Sequence, residues 1–465
     1  MEKKNTWETY SSKQLKELEK INAQYRDFLD NGKTERECID TIVNTIEKSG
    51  YRELESLIKE GAALKTGDKV YSVWMNKSIA MFQIGRKPMT DGMNILGAHI
   101  DSPRLDVKQN PLYEDGGFAY LDTHYYGGVK KYQWVTIPLA IHGVIVKKDG
   151  TCVEINIGEN EDDPVFFVSD LLIHLAQEQL EKKAAKVIEG EALDIIVGNK
   201  PLLIDKKDKK KDEKEAGKEA VKAGVLDILK ETYDIHEEDF VSAELEIVPA
   251  GKAREAGFDR SMTLAYGQDD RVCAYTSMQA MLDSDVTDRT MCCILVDKEE
   301  IGSDGVSGMN SEFLEHFIMY LSKMQGVDYI TTLGRSKCLS ADVNAGYDPT
   351  FADVMDPKNS SYMNRGVVIT KYTGSGGKGG TNDASAEFMA EVTNIFDSKN
   401  VNWQTGELGK VDMGGGGTVA KYISRKNVDT VDIGVPVLSM HAPFELVAKT
   451  DVYSAYTAFL AFLDR

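Results

Sequence analysis

Five short segments supply imidazoles and carboxylates in the ratio that a hydrolytic site with two divalent cations requires: Gly97-Ala98-His99-Ile100-Asp101, Gln268-Asp269-Asp270-Arg271, Asp297-Lys298-Glu299-Glu300-Ile301-Gly302-Ser303, Ser340-Ala341-Asp342 and Ser439-Met440-His441. Two cations sharing one water need several carboxylates as ligands and one more to take a proton. Taken alone, each segment has an ordinary structural explanation. His99 at a strand end reads equally as a polar core residue, and either Asp269 or Asp270 as the cap of a helix over 271–281. The pair Glu299-Glu300 carries more, because the apolar run Cys292-Cys293-Ile294-Leu295-Val296 projects it from the edge of a core. One glutamate can bind a cation while its neighbour accepts a proton. Asp101, two residues beyond His99 on the same face of an extended segment, is placed to orient a ligating imidazole. Asp342 and His441 repeat the pattern of a short apolar run followed by a ligand type.

The elements that must position these residues can be read from periodicity. Residues 11–30 and 34–49 carry apolar positions at helical spacing, among them Leu15, Leu18, Ile21 and Tyr25. From Lys69 the pattern changes to strands, with 70–74 and 78–84 separated by a polar turn, and 93–97 running directly into His99. Ligands at the carboxyl ends of strands are where open α/β sheets place their sites. Residues 291–296 and 367–371 read as further strands and 311–323 as a helix, which gives a βαβ layout after Pro249. Between them, 133–147 and 151–157 alternate as strands and 169–186 reads as a helix. None of the five segments falls there. The sequence therefore predicts an α/β fold, a mixed and helix-flanked sheet forming a catalytic domain from 1–109 and 250–465, with a β-rich domain of 110–249 inserted.

The 465 residues carry 75 acidic and 55 basic side chains, a net charge of -20, which argues against binding nucleic-acid phosphates or anionic membranes. No run approaches the ~18 apolar residues that span a bilayer, and the N-terminus has no apolar stretch behind its charges, so a cytoplasmic location is expected. The six cysteines, Cys38, Cys152, Cys273, Cys292, Cys293 and Cys338, show no paired metal spacing and read as free thiols. The mixed-charge run 205–215 reads as a solvated loop. Gly374-Ser375-Gly376-Gly377-Lys378-Gly379-Gly380-Thr381 lacks the Gly-Lys-Ser/Thr ending of a phosphate loop. Met413-Gly414-Gly415-Gly416-Gly417-Thr418 could offer backbone N–H groups to a substrate carbonyl or simply make a tight turn, and residue type leaves both open.

At these segments the chain resembles the aspartyl aminopeptidase family, metallopeptidase family 18, within the wider group of two-zinc exopeptidases. Gly-Ala-His-Ile-Asp-Ser-Pro-Arg, Asp-Lys-Glu-Glu-Ile-Gly-Ser and Met-His-Ala-Pro-Phe-Glu carry the likeness, in the family's order and on both sides of an insertion of the expected size. The resemblance implies that His99, Asp269, Glu300, Asp342 and His441 bind two divalent metals, zinc with cobalt or manganese as alternatives, with Asp269 bridging. It implies Glu299 as the general base that activates a shared water, and Asp101 as the acid beside His99. It further implies peptide substrates with a free N-terminus, a preference for acidic N-terminal residues, and self-assembly into a homo-oligomer, a dodecamer. Some members place a histidine from a neighbouring subunit's inserted domain near the substrate, and here Asp170 and His174 are the candidates. Lys371, near a strand end, could pair with a substrate carboxylate or stay solvated. The same metal pair would also serve a deacylase or amidohydrolase acting on non-peptide amides, and the same scaffold without activity would be an assembly protein.

Overall fold

Met-Cys-Cys-Ile-Leu-Val, the strand Met291–Val296, is buried at every position, as expected of a central parallel strand covered on both faces. In the computed structural model, which describes residues 4–202 and 219–465, that strand is the fourth of a nine-stranded mixed sheet among the described residues. Residues 1–3 and the charged run 205–215 lie outside the described residues. Across the middle of the sheet, Met291–Val296, Asn94–His99, Lys337–Ala341 and Asp429–Gly434 run parallel as neighbours. Ser78–Gln83 and Val367–Thr370 flank them antiparallel.

Alternation along these strands sends side chains to two separate cores. Cys293, Leu295, Leu96 and Ala98 join a large cluster with Leu18, Tyr25, Phe388 and Phe459. Cys292, Ile294, Val296 and Ile95 join a second with Phe313, Leu321 and Ile423. The first face is covered by helices that include Ser12–Asn31 and Glu35–Lys48, each opened by a capping box, from Ser11 with Gln14 and from Thr34 with Glu37. The second is covered by Phe313–Gln325 and shorter helices. Cys38, Cys273, Cys292, Cys293 and Cys338 are buried free thiols, and Cys152 is exposed.

The chain gathers into two compact units, one of Met1–Ser102, Ala253–Met440 and Phe444–Arg465, the other of Pro103–Lys252 and His441–Pro443. The divisions fall at 102 and 252 rather than 109 and 249 because the strand Arg104–Asp115 belongs wholly to the second unit's sheet. Among the described residues that sheet has six antiparallel strands, in the order Cys152–Ile157, Leu139–Val146, Ala243–Pro249, Arg104–Asp115, Phe118–Tyr126 and Ile195–Gly198. Residues 169–186 do not form the expected helix; they hold only the single turns Ile173–Leu175, Gln177–Leu180 and Ala184–Val187. Two causes act together. Leu171, Leu172, Ile173 and Leu175 are 45% to 69% exposed, so no buried stripe rewards a continuous helix. Asp170 Oδ1 accepts from its neighbour Leu171 N and from Gln179 Nε2, a local arrangement that competes with helical hydrogen bonds. No helix of the described residues is long and apolar enough to cross a membrane.

The strand Asp429–Gly434 buries a carboxylate in mid-sheet. Asp432 is 2% exposed, and burial pushes its carboxyl up to about 7 despite the hydrogen bond from Thr418 Oγ1, which favours the charged form. The folded chain therefore keeps this proton up to about 7, while the unfolded chain releases it near 3.8. More protons are bound folded than unfolded in that window, so this group's contribution to stability falls as pH rises through it. The variant D432N, which cannot ionise, is expected to melt a few degrees above the parent at about pH 7.5, with the difference shrinking as pH falls and vanishing only below about pH 4, in paired thermal scans. A pH-independent difference would show that Asp432 is not titrating in the fold.

Candidate metal centre

His99 ends its strand level with Val296 on one side. On the other, Ser340 pairs with Gly97, so Asp342 follows two residues beyond at the same height. Parallel neighbours in register thus deliver His99, Asp342 and the Asp297–Ser303 turn to one edge of the sheet. Gln268–Asp283 begins there too, and its first residues depart from helical torsions: Asp269 has ψ 106° and Asp270 φ -117°. The two aspartates are joined by a cis peptide bond. Neither is the N-cap, which is Gly267. A side chain on Gly267, at φ 68°, would place a Cβ 1.7 Å from the Arg271 guanidinium, so glycine is required where the chain enters.

Two groups of ligating atoms result, His99 with Asp269 and Glu300, and His99 with Asp270 and Asp342; within each the atoms lie within 4.8 Å of one another. His99 Nε2 is 3.2 Å from Asp269 Oδ1. Its Nδ1 lies 3.0 Å from the backbone carbonyl of Asp101 and 3.4 Å from that residue's Oδ1. A carbonyl oxygen only accepts, so Nδ1 carries the hydrogen and Nε2 is left facing the carboxylates. The Asp101 carboxylate has a second task, accepting Glu299 N at 3.1 Å and Glu300 N at 3.2 Å. It therefore anchors the turn that presents both glutamates. That turn is tight: Lys298, Gly302 and Ser303 all have positive φ, and Ser303 N donates to Lys298 O at 2.7 Å.

A further set of hydrogen bonds fixes Asp269. Its N–H donates to Glu445 Oε2 at 3.0 Å, and its carbonyl accepts from Ser102 Oγ at 2.7 Å. Gln268 Nε2 donates to Glu445 O at 2.6 Å, and Tyr25 donates to Gln268 Oε1 at 3.2 Å.

Burial drives the electrostatics. It raises the Asp270 carboxyl well above the ordinary range, with Asp269 adding to the rise and His99 opposing it. Asp342 is raised in the same way, by burial first and then by Asp270. Burial alone would lower His99, but Asp101 and Asp269 outweigh it and hold the imidazole well above its usual value. Asp270 is fully buried, and neither of its carboxylate oxygens has a hydrogen-bond partner among the described residues. Carboxylate oxygens and an imidazole nitrogen, crowded and desolvated in this way, fit a divalent metal such as zinc by their donor chemistry.

Of the residues singled out from the sequence, the structure gathers His99, Asp101, Asp269, Glu299, Glu300 and Asp342 at this edge. His441 belongs to the second unit, where its Nδ1 lies 3.0 Å from Gly128 O. Asp170 and His174 are exposed in the same unit. Lys371 pairs with Asp383 at 2.5 Å, and Lys378 meets the same carboxylate at 2.9 Å. The two glycine-rich stretches lie backbone against backbone: Gly374 N donates to Gly416 O, and a Cβ on Gly415 would sit 2.0 Å from Gly374 O. Three residues were not assigned from residue type. Asp270 was visible only as the unused half of a pair, Ser102 as part of the Asp-Ser-Pro-Arg motif, and Glu445 as the last residue of Met-His-Ala-Pro-Phe-Glu.

Residues 28–463 match the family model described as aminopeptidase I zinc metalloprotease (M18). A probable M18 family aminopeptidase 1 of Clostridium acetobutylicum is 54% identical over 468 residues, covering 100% of this chain and 98% of that protein. The crystal structure of the M18 family aminopeptidase of Thermotoga maritima superposes with a TM-score of 0.93 at 43% identity, covering 100% of this chain and 99% of the other. The yeast mApe1 dodecamer shares the fold, with a TM-score of 0.75 at 20% identity over 95% of this chain and 96% of that one. The metal-fitting cluster at the carboxyl edge of the sheet is thus found in a chain that belongs to the M18 family of zinc metallo-aminopeptidases.

Proposed function

We propose that this zinc aminopeptidase works with two metal ions, held by His99, Asp269, Glu300, Asp342 and His441, and that it removes acidic residues from the free N-termini of peptides. What supports the count of two is the surplus of donors: the two ligand groups, which overlap at His99, bring four carboxylates, more than one four-coordinate ion takes beside an imidazole, and the single lone pair of His99 serves only one ion. Asp269 is the bridging ligand in this reading: it stands 3.2 Å from the imidazole and in one group with Glu300. His441 is assigned from the Met-His-Ala-Pro-Phe-Glu motif, which leads within a few residues to Glu445, the acceptor of the Asp269 N–H.

Zinc bound there would act as a Lewis acid on the scissile carbonyl and lower the pKa of the attacking water. Glu299 accepts the proton of that water and returns it to the leaving amine, so the base is regenerated in each turnover. Its neighbour Glu300 is held in the ligand group by the same turn, and Asp101 sets the orientation of both through their N–H groups. The free N-terminus of the peptide pairs with the carboxylate-rich cluster, which confines cleavage to the first residue.

The enzyme assembles as a homo-oligomer and works in the cytoplasm. The exposed apolar side chains of Leu171, Leu172, Ile173 and Leu175 support assembly, as does the shared fold of the yeast dodecamer. Buried free thiols at Cys38, Cys273, Cys292, Cys293 and Cys338 suit a reducing compartment.

Glu299→Gln is expected to retain its zinc while kcat falls by roughly 10²- to 10⁴-fold; full activity in that variant would remove Glu299 as the base. Elemental analysis of the purified protein is expected to give about two zinc ions per chain, with activity lost on chelation and restored by added zinc, cobalt or manganese. A single tightly held ion in the fully active enzyme would refute the two-metal reading. Among aminoacyl reporter substrates, aspartyl and glutamyl reporters are expected to exceed leucyl and lysyl ones by about tenfold or more in kcat/KM, a transition-state difference of about 1.4 kcal/mol. Equal rates would refute the acidic preference alone, and preferential hydrolysis of N-acylated amino acids would point to a deacylase.

A further inference from the structure

His441 has a left-handed backbone, φ 65°, and its ring is held from a distant part of the sequence. Nδ1 lies 3.0 Å from the carbonyl oxygen of Gly128, 313 residues earlier. Because a carbonyl oxygen only accepts, Nδ1 bears the hydrogen, and the lone pair of the neutral imidazole is at Nε2. The approach is close: a Cβ built on Gly128 would sit 3.2 Å from Nδ1 and 3.6 Å from Cε1 of His441. Gly127 has φ 77°, but Gly128 is not among the positive-φ glycines. Its missing side chain therefore answers to the imidazole and not to the backbone.

We propose that Gly128 is a positioning residue for zinc. Its carbonyl fixes the tautomer and rotation of His441 so that Nε2 is the metal donor, and its lack of a Cβ allows the ring to come that near. The proposal rests on the assignment of His441 as a ligand. Ligating histidines ordinarily donate their other ring N–H to a carbonyl or carboxylate, and loss of that partner typically weakens metal binding by roughly 10- to 100-fold. His99 shows the same arrangement, with Nδ1 3.0 Å from Asp101 O.

The test follows zinc released from the holoenzyme to a chromophoric chelator, with far-UV circular dichroism as a check on folding. Gly128→Ala requires the ring to give by a few tenths of an ångström and is expected to release zinc faster than the parent. Gly128→Val drives branched methyl groups toward the ring and is expected to accelerate release by roughly 10- to 100-fold. In a His441→Ala background, where there is no imidazole to displace, Gly128→Val is expected to add nothing. Parental release from Gly128→Val while His441→Ala loses zinc would overturn the Gly128 proposal and leave the ligand assignment standing. The same added acceleration in the His441→Ala background would overturn it too, by showing an effect that does not pass through the ring. Parental zinc retention in His441→Ala would overturn both readings.

Discussion

The carboxylates of Asp269, Asp270, Glu300 and Asp342 converge on the single imidazole of His99, with Asp269 and Asp270 buried, and this crowding of negative charge is the constraint on which the surrounding structure depends. Removing an ion from water costs several kcal/mol even after relaxation, so each carboxylate must be held by a donor, kept protonated or matched by a cation. The protein answers with backbone and hydroxyl groups fixed in advance. Ser102 and Glu445 hold the Asp269 backbone from two directions, and the Asp101 carboxylate spans two consecutive N–H groups of the glutamate turn. These contacts fix where the oxygens sit without neutralising them. The remaining charge deficit is what a divalent ion would satisfy, so metal affinity and folding stability are coupled at this edge.

Such a site needs a platform that cannot shift. Four parallel strands buried on both faces provide it, since side chains alternate between two packed cores and a slip of one residue would exchange them. The register therefore sets the height of His99 against Val296 and against the chain leading to Asp342. The helix Gln268–Asp283 adds Asp269 and Asp270 only because its first turn is not helical; a regular turn would point consecutive residues about 100° apart around the axis.

This division of labour explains what could be read from the sequence. The run Met291–Val296 announces itself as a buried strand, and Ser11 with Gln14 announces a helix start, because both are local signals. His99, Glu299, Glu300 and Asp342 were visible because each follows an apolar strand directly. The apolar spacing of 169–186 misled, since side chains that stay exposed in this chain have the same spacing as those that pack. Asp101 was legible as a partner of His99, but its hold on the glutamate turn links residues 198 and 199 positions apart. Gly128 carried no signal at all, because a glycine chosen for the ring it approaches looks like any other glycine in a loop.

Both histidines present their Nδ1 hydrogens to backbone carbonyls, of Asp101 for His99 and of Gly128 for His441. A carboxylate in that place would also fix the tautomer, but it would bring another full negative charge to the imidazole. Beside His99, already crowded with carboxylates, that charge would raise the imidazole's proton affinity and favour the imidazolium, which cannot ligate. A carbonyl accepts the same hydrogen bond with only a dipole, so it selects Nε2 as the donor without adding a further full charge. The Asp101 carboxylate, 3.4 Å from His99 Nδ1, is the first of the groups that raise the imidazole, and it accepts the two N–H groups of the glutamate turn as well. Binding the glutamate turn thus accounts for an aspartate at a position where a carbonyl alone would fix the tautomer, and the proton its charge favours on His99 is one that a bound cation would displace.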